Sequence, residues 1–216
     1  MQKQEVLSRI HNEGLMPVLR ADSTEQALAI AGALEAGGIT ILEITMTVPG
    51  ALRLIEQLAD RSGDRMLIGA GTVLDAETAR AAMMAGARFV VSPALDLATI
   101  EICRRYSVAV FAGALTPTEV LAAWQAGSDA VKVFPASAVG GAPYLKALKA
   151  PFPQIELIPT GGVSLHTAPD FLRAGAFALG VGGDLVDAKA IREGKPEIIT
   201  GNARKYLEIG SEFRRH

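Results

Sequence analysis

The chain has little of what disulfide, metal or membrane chemistry requires. Its 216 residues include one cysteine, Cys103, which excludes an internal disulfide and any site built from several thiolates. The three histidines, His11, His166 and His216, are not spaced as a ligand pair, so no metal is expected. No apolar run approaches the ~18 residues of a membrane-spanning helix. Met1 to Arg9 is polar, without the apolar stretch of a secretory signal. A net charge of −2 argues against nucleic acid or an anionic membrane as the main partner. A cytoplasmic protein is expected. No G-x-G-x-x-G turn follows the first β-rich run, which weakens an open, doubly wound sheet.

What the chain does have is one repeated grammar. Half of its residues are hydrophobic and 22 are glycine, a composition for a well-packed molecule with many tight turns. Candidate strands are Met16–Arg20, Thr40–Thr45, Met66–Gly69, Arg88–Ser92, Val108–Ala112, Asp129–Phe134, Ile155–Thr160 and Phe177–Gly182. Helical patterns lie between them, among them Thr24–Ala36, Val48–Arg61, Ala76–Ala85, Asp96–Tyr106 and Thr118–Ala126. Many end in Ala-Gly or Gly-Gly, where glycine supplies a left-handed cap. Thr116-Pro117-Thr118-Glu119 reads as a capping box with proline at the first helical position. Eight such units without a break in composition predict one α/β domain over residues 1–216, a (β/α)8 TIM barrel. An extra N-terminal helix, Gln2–His11, is expected to cap the barrel bottom. Tyr106, Cys103 and Trp124 fall in helical patterns and are expected to pack.

In a barrel, chemistry belongs at the C-terminal ends of the strands. Lys132 is the lone cation of Ala130-Val131-Lys132-Val133-Phe134, and Glu43 the lone anion of Ile41-Leu42-Glu43-Ile44. Burying a charge is costly unless it is paired, and strand-end lysines of this kind form Schiff bases with carbonyl substrates. Two isolated opposite charges on two buried strands favour a site over a structural ion pair, although the pair remains open. Arg20 closes the first strand, and its guanidinium fork suits a carboxylate. Thr45 and Thr47 follow Glu43 on the same face. Thr72 and Thr160 each read, taken alone, as turn caps. The turns Thr160-Gly161-Gly162 and Gly182-Gly183 follow strands seven and eight, where barrels often bind phosphate through backbone N–H groups.

With these residues the chain resembles the family of 2-keto-3-deoxy-6-phosphogluconate (KDPG) and 4-hydroxy-2-oxoglutarate (KHG) aldolases. The resemblance runs from about Pro17 to Val186. It is carried by Pro17-Val18-Leu19-Arg20-Ala21, Leu42-Glu43-Ile44-Thr45, Ile68-Gly69-Ala70-Gly71-Thr72-Val73 and Val91-Ser92-Pro93. It continues in Leu115-Thr116-Pro117-Thr118-Glu119, Val131-Lys132-Val133-Phe134-Pro135-Ala136 and Pro159-Thr160-Gly161-Gly162-Val163. The resemblance implies a class I aldolase releasing pyruvate from a 2-keto acid without added cofactor or metal, assembled as a homotrimer. It implies that Lys132 forms the imine and Glu43 moves protons. Arg20 and Thr72 would lie near the keto acid, Pro93 and Phe134 would form apolar walls, and Thr160, Gly161, Gly162, Gly182 and Gly183 would line the distal turns. Two departures stand out. Thr47 replaces the arginine that some members carry, leaving Arg20 as the carboxylate contact. Gly183 replaces a serine found in many members, which removes one hydroxyl donor to a phosphate. The galactonate epimer, 4-hydroxy-2-oxoglutarate and unphosphorylated sugar acids therefore stay open as substrates. A non-catalytic phosphosugar-binding or scaffold barrel stays open as well.

Overall fold

Short β-branched runs alternating with amphipathic segments fold as their periodicity dictates. The structure, a computed structural model, describes residues 1–214; His216 lies outside them. Helix α1 (Lys3–Glu13) precedes β1 (Leu15–Leu19), and βα units then repeat around the molecule. The strands are β2 (Ile41–Thr45), β3 (Leu67–Gly71), β4 (Phe89–Val91), β5 (Ala109–Ala114), β6 (Ala130–Val133), β7 (Leu157–Pro159) and β8 (Leu179–Val181). The connecting helices are α2 (Thr24–Ala36), α3 (Ala51–Ser62), α4 (Ala76–Met84), α5 (Leu97–Arg105) and α6 (Pro117–Ala126). The second half adds α7 (Ala142–Lys149), α8 (Ala168–Arg173), α9 (Ala188–Arg192) and the long α10 (Pro196–Arg214).

The strand order is β7-β6-β5-β4-β3-β2-β1-β8, with parallel pairing throughout. Strands β7 and β8 meet through one isolated bridge, Thr160 with Gly180, so the sheet is a near-closed (β/α)8 barrel. An open doubly wound sheet is ruled out. Alternate residues turn inward, and Met16, Ile41, Leu67, Phe89, Phe111 and Ile158 pack with Val6 and Ile10 of α1. The N-terminal helix thus seals the bottom, as expected. A second apolar layer fills the space between strands and helices, with Ile30, Leu34, Leu54, Leu58, Val120 and Leu148 among its members.

Side-chain caps define several helix starts. Ser23 accepts from the Gln26 amide, Asp75 from Thr78, Asp96 from Thr99, and Thr116 forms the expected capping box with Glu119. Each such cap contributes about 1 kcal/mol.

Three local expectations are corrected. Helix α3 begins at Ala51 rather than Val48, because Gly50 adopts a left-handed φ of 71° and the chain turns there first. At Ala36-Gly37-Gly38 the left-handed residue is Gly38 (φ 96°), while Gly37 stays right-handed under α10. Cys103 is buried as expected, but Tyr106 and Trp124 are 48% and 41% exposed. Helix α6 buries Val120 and Ala123 and leaves Trp124 off that stripe. Tyr106 ends α5 and carries the Arg80 guanidinium 4.1 Å from its ring centre. Among the described residues no helix is long and apolar enough to cross a membrane.

Candidate active site

The inward alternation that packs the barrel bottom places two charges higher up. Glu43 pairs in register with Val18 of β1 and Gly69 of β3; Lys132 pairs with Gly113 of β5 and Ile158 of β7. Glu43 is wholly buried and Lys132 is 3% exposed. Lys132 Nζ lies 3.5 Å from Glu43 Oε1, the outer edge of a hydrogen bond. Glu43 Oε2 has no partner in the structure. The ammonium position also lies 5.5 Å from the centre of the Phe134 ring. Burial of two charges at this spacing costs free energy that a loose contact only partly offsets. An unpartnered carboxylate oxygen adds to that cost, and it leaves an acceptor for a proton.

Glycine makes the room. A Cβ on Gly71 would sit 2.6 Å from both Cδ and Cγ of Glu43, and one on Gly113 would strike the backbone of Pro93 and Ala94. Thr45 donates its hydroxyl to the Leu19 carbonyl at 3.0 Å and shares a 2.7 Å contact with the exposed Thr47 hydroxyl. This ties the end of β2 to the end of β1, next to Arg20. Thr72, just past β3, takes a left-handed φ of 55°.

A cavity of about 540 Å³ opens at this end of the barrel. Of the residues singled out from sequence, Arg20, Phe134, Thr160, Gly161, Gly162, Gly182 and Gly183 line it. Lys132, Glu43, Thr72 and Pro93 are not on its wall. Phe134 relates the buried pair to the cavity, since it lines the cavity and its ring centre lies 5.5 Å from Lys132 Nζ. Arg20 is exposed and makes no ion pair or hydrogen bond among the described residues, so its guanidinium is free for an anionic group. The Thr160 hydroxyl is buried and unpartnered, so it does not cap its turn as that residue alone suggested. None of the turn hydrogen bonds among the described residues is donated by the amides of Gly162, Gly182 or Gly183. Those N–H groups are open to a ligand.

Sequence reasoning missed Val18, Val163, Ser164, Asp184, Val186 and Ala188 on the same wall. Two of them carried a signal. Asp184 directly follows the Gly182-Gly183 turn, and Ser164 stands two residues past Gly162. The Ser164 hydroxyl is engaged locally, accepting from the Thr167 amide at 3.2 Å.

A parallel barrel that buries a lysine beside a carboxylate and carries an open cavity has the groups that a class I, Schiff-base-forming aldolase needs. A family model described as KDPG and KHG aldolase matches residues 6–201. The chain belongs to that family. It is 38% identical over 203 residues to the 2-dehydro-3-deoxy-phosphogluconate aldolase of Pseudomonas aeruginosa, covering 94% of this chain and 91% of the relative. It is also 37% identical over 175 residues to the 2-dehydro-3-deoxy-6-phosphogalactonate aldolase of Escherichia coli, covering 81% and 85%. A crystal structure of KDPG aldolase from Legionella pneumophila superposes with a TM-score of 0.85 at 32% identity, covering 94% of this chain and 97% of that one. In that structure pyruvate was captured as a covalent carbinolamine intermediate.

Proposed function

We propose that this aldolase reversibly cleaves 2-keto-3-deoxy-6-phosphogluconate to pyruvate and D-glyceraldehyde 3-phosphate, with Lys132 as the imine-forming amine and Glu43 as the proton shuttle. The observation that carries this reading is the buried Lys132–Glu43 pair, with one carboxylate oxygen unpartnered. The amine of Lys132 attacks the C2 ketone, giving a carbinolamine that loses water to form a protonated imine. The C3–C4 bond then breaks. Its electron pair moves into the imine to give an enamine, while the C4 hydroxyl surrenders its proton toward Glu43 Oε2. The aldehyde departs, the enamine is protonated at C3, and water hydrolyses the imine to release pyruvate and the free amine.

Arg20, unpaired at the end of β1, takes the substrate carboxylate. Thr72 stands by the keto acid from β3, and Pro93 and Phe134 bound the apolar side. Thr160, Gly161, Gly162, Gly182 and Gly183 receive the aldehyde half, the last through backbone N–H groups where a serine hydroxyl is missing. No step calls for a metal or an added cofactor. The same pyruvate machinery serves the galactonate epimer, and identity to aldolases of both kinds supports keeping it as the second reading.

The test is borohydride reduction in the presence of pyruvate, followed by peptide mass spectrometry. A reduced pyruvyl adduct on Lys132, absent from Lys132→Met, is the expected result. An unmodified Lys132 overturns the reading, and a barrel that binds sugar phosphates without covalent trapping would give that outcome. Relative turnover of the two phosphorylated epimers, their unphosphorylated forms and 4-hydroxy-2-oxoglutarate then selects the substrate. Assembly as a homotrimer belongs to the same proposal. Leu74, Met84 and Leu97 stand exposed on the outside and give such an assembly apolar surface to cover. Light scattering that finds a stable monomer would overturn it.

A further inference from the structure

The cavity's far wall is formed by two glycine turns that the sheet itself barely joins. Below them β7 and β8 share only the Thr160–Gly180 bridge, so no continuous ladder sets the spacing of the turns above. A side-chain tether stands there instead. Asp184, which lines the cavity just past Gly182-Gly183, accepts through Oδ2 from the Tyr206 hydroxyl at 2.6 Å. The same oxygen accepts from the Leu165 amide at 3.3 Å, and Leu165 lies just past the Gly161-Gly162 turn. One turn before Tyr206 on α10, Asn202 donates its side-chain amide to the Asp184 carbonyl at 3.4 Å. Tyr206 is 1% exposed, so its ring is fixed in the packing between α10 and the barrel. Burial, followed by the Asp184 carboxylate, pushes its phenol well above the ordinary value, which keeps it a donor at working pH.

We propose that Tyr206 and Asp184 are positioning residues for the aldehyde half of the substrate, locking the β7 and β8 turns at the spacing their N–H groups need. This rests on the reading that the aldehyde half sits against those turns. Neither residue forms or breaks a bond. They set the geometry of groups that bind, as supporting hydrogen bonds do around other sites. The pyruvate end, at Lys132 and Glu43, is held by β2 and β6 and does not depend on the tether.

The experiment follows aldol synthesis with intact protein, using pyruvate and whichever of D-glyceraldehyde 3-phosphate and D-glyceraldehyde the wild type condenses faster. Tyr206→Phe removes the donor of a charge-assisted hydrogen bond, and about a tenfold rise in the aldehyde KM is expected. The pyruvate KM and the rate of borohydride trapping should stay within about twofold. Asp184→Ala should match it, Asp184→Asn should recover most of the loss because its amide oxygen still accepts, and the double variant should be no worse than either single one. An unchanged aldehyde KM in a folded Tyr206→Phe protein overturns the proposal. So does a parallel loss at both substrates, which marks a purely structural role. If pyruvate is not trapped even in the wild type, the functional reading itself has failed, and the tether falls with it.

Discussion

A methyl group added at Gly71 would test the placement of Glu43 without touching its chemistry. Gly71 lies in β3 paired with Thr45, and its φ is not in the left-handed region, so alanine brings no backbone strain. The new Cβ would lie 2.6 Å from Cδ and Cγ of Glu43, against the roughly 3.5–4.0 Å of a relaxed carbon contact. Glu43 is wholly buried and has no solvent to swing into, so the carboxylate must shift by about 1 Å or the strands must part. Overpacking of this kind costs about 1–3 kcal/mol, offset by about 0.4–1 kcal/mol from the stiffer unfolded chain. At about 2–4 °C per kcal/mol for a chain of this size, Tm should fall by several degrees. Misplacing a catalytic group by about 1 Å costs about a hundredfold in kcat. Thermal unfolding and steady-state cleavage measure the two effects, with pyruvate trapping as the control for Lys132. A Gly71→Ala protein with wild-type kcat and unchanged Tm would refute both the packing argument and the role given to Glu43.

Two further outcomes are expected. Glu43→Gln should lower kcat by about 10²–10⁴ while the reduced pyruvate adduct on Lys132 still accumulates; wild-type turnover would remove Glu43 from the proton path. The Cys103 thiol is pushed up to about 12 by burial and then by the Asp129 carboxylate. It should therefore resist a thiol-specific disulfide reagent at about pH 8 until the protein is unfolded, when one thiol per chain reacts; rapid labelling of the native protein would contradict its burial.

The buried pair was legible where a residue broke its local pattern. Lys132 and Glu43 stand out because each is the one charge in an apolar strand, and strand periodicity then forces both inward. The helix stops were legible because glycine is the residue that best tolerates a left-handed turn, although Gly37 and Gly38 show that the pattern does not say which of two glycines takes it. Asp184 was weakly marked for the opposite reason, with only its place after the Gly182-Gly183 turn to signal it. It is one of 23 acidic residues and sits in a polar turn where an aspartate is ordinary. Its partner Tyr206 lies in an amphipathic helix, where a buried aromatic needs no explanation beyond packing. Trp124 was misjudged because α6 is apolar on more than its buried stripe, so composition could not tell the inner face from the outer one. Thr72 and Pro93 follow β3 and β4 at the strand ends, and like Lys132 and Glu43 they stand off the wall of the cavity.

Lys132 and Glu43 are 89 residues apart in the chain. Between them around the barrel stand β3, β4 and β5 on one side and β1, β8 and β7 on the other, so the two strands face one another only across the assembled sheet. The Lys132–Glu43 contact is therefore among the long-range contacts that pay loop-closure entropy before they return any stability. A chain that has docked only its first strands has a lysine, but not beside its carboxylate. Pyruvate with borohydride, applied at intervals during refolding, would then mark the molecules whose barrel is complete, making the enzyme's own imine a clock for its assembly.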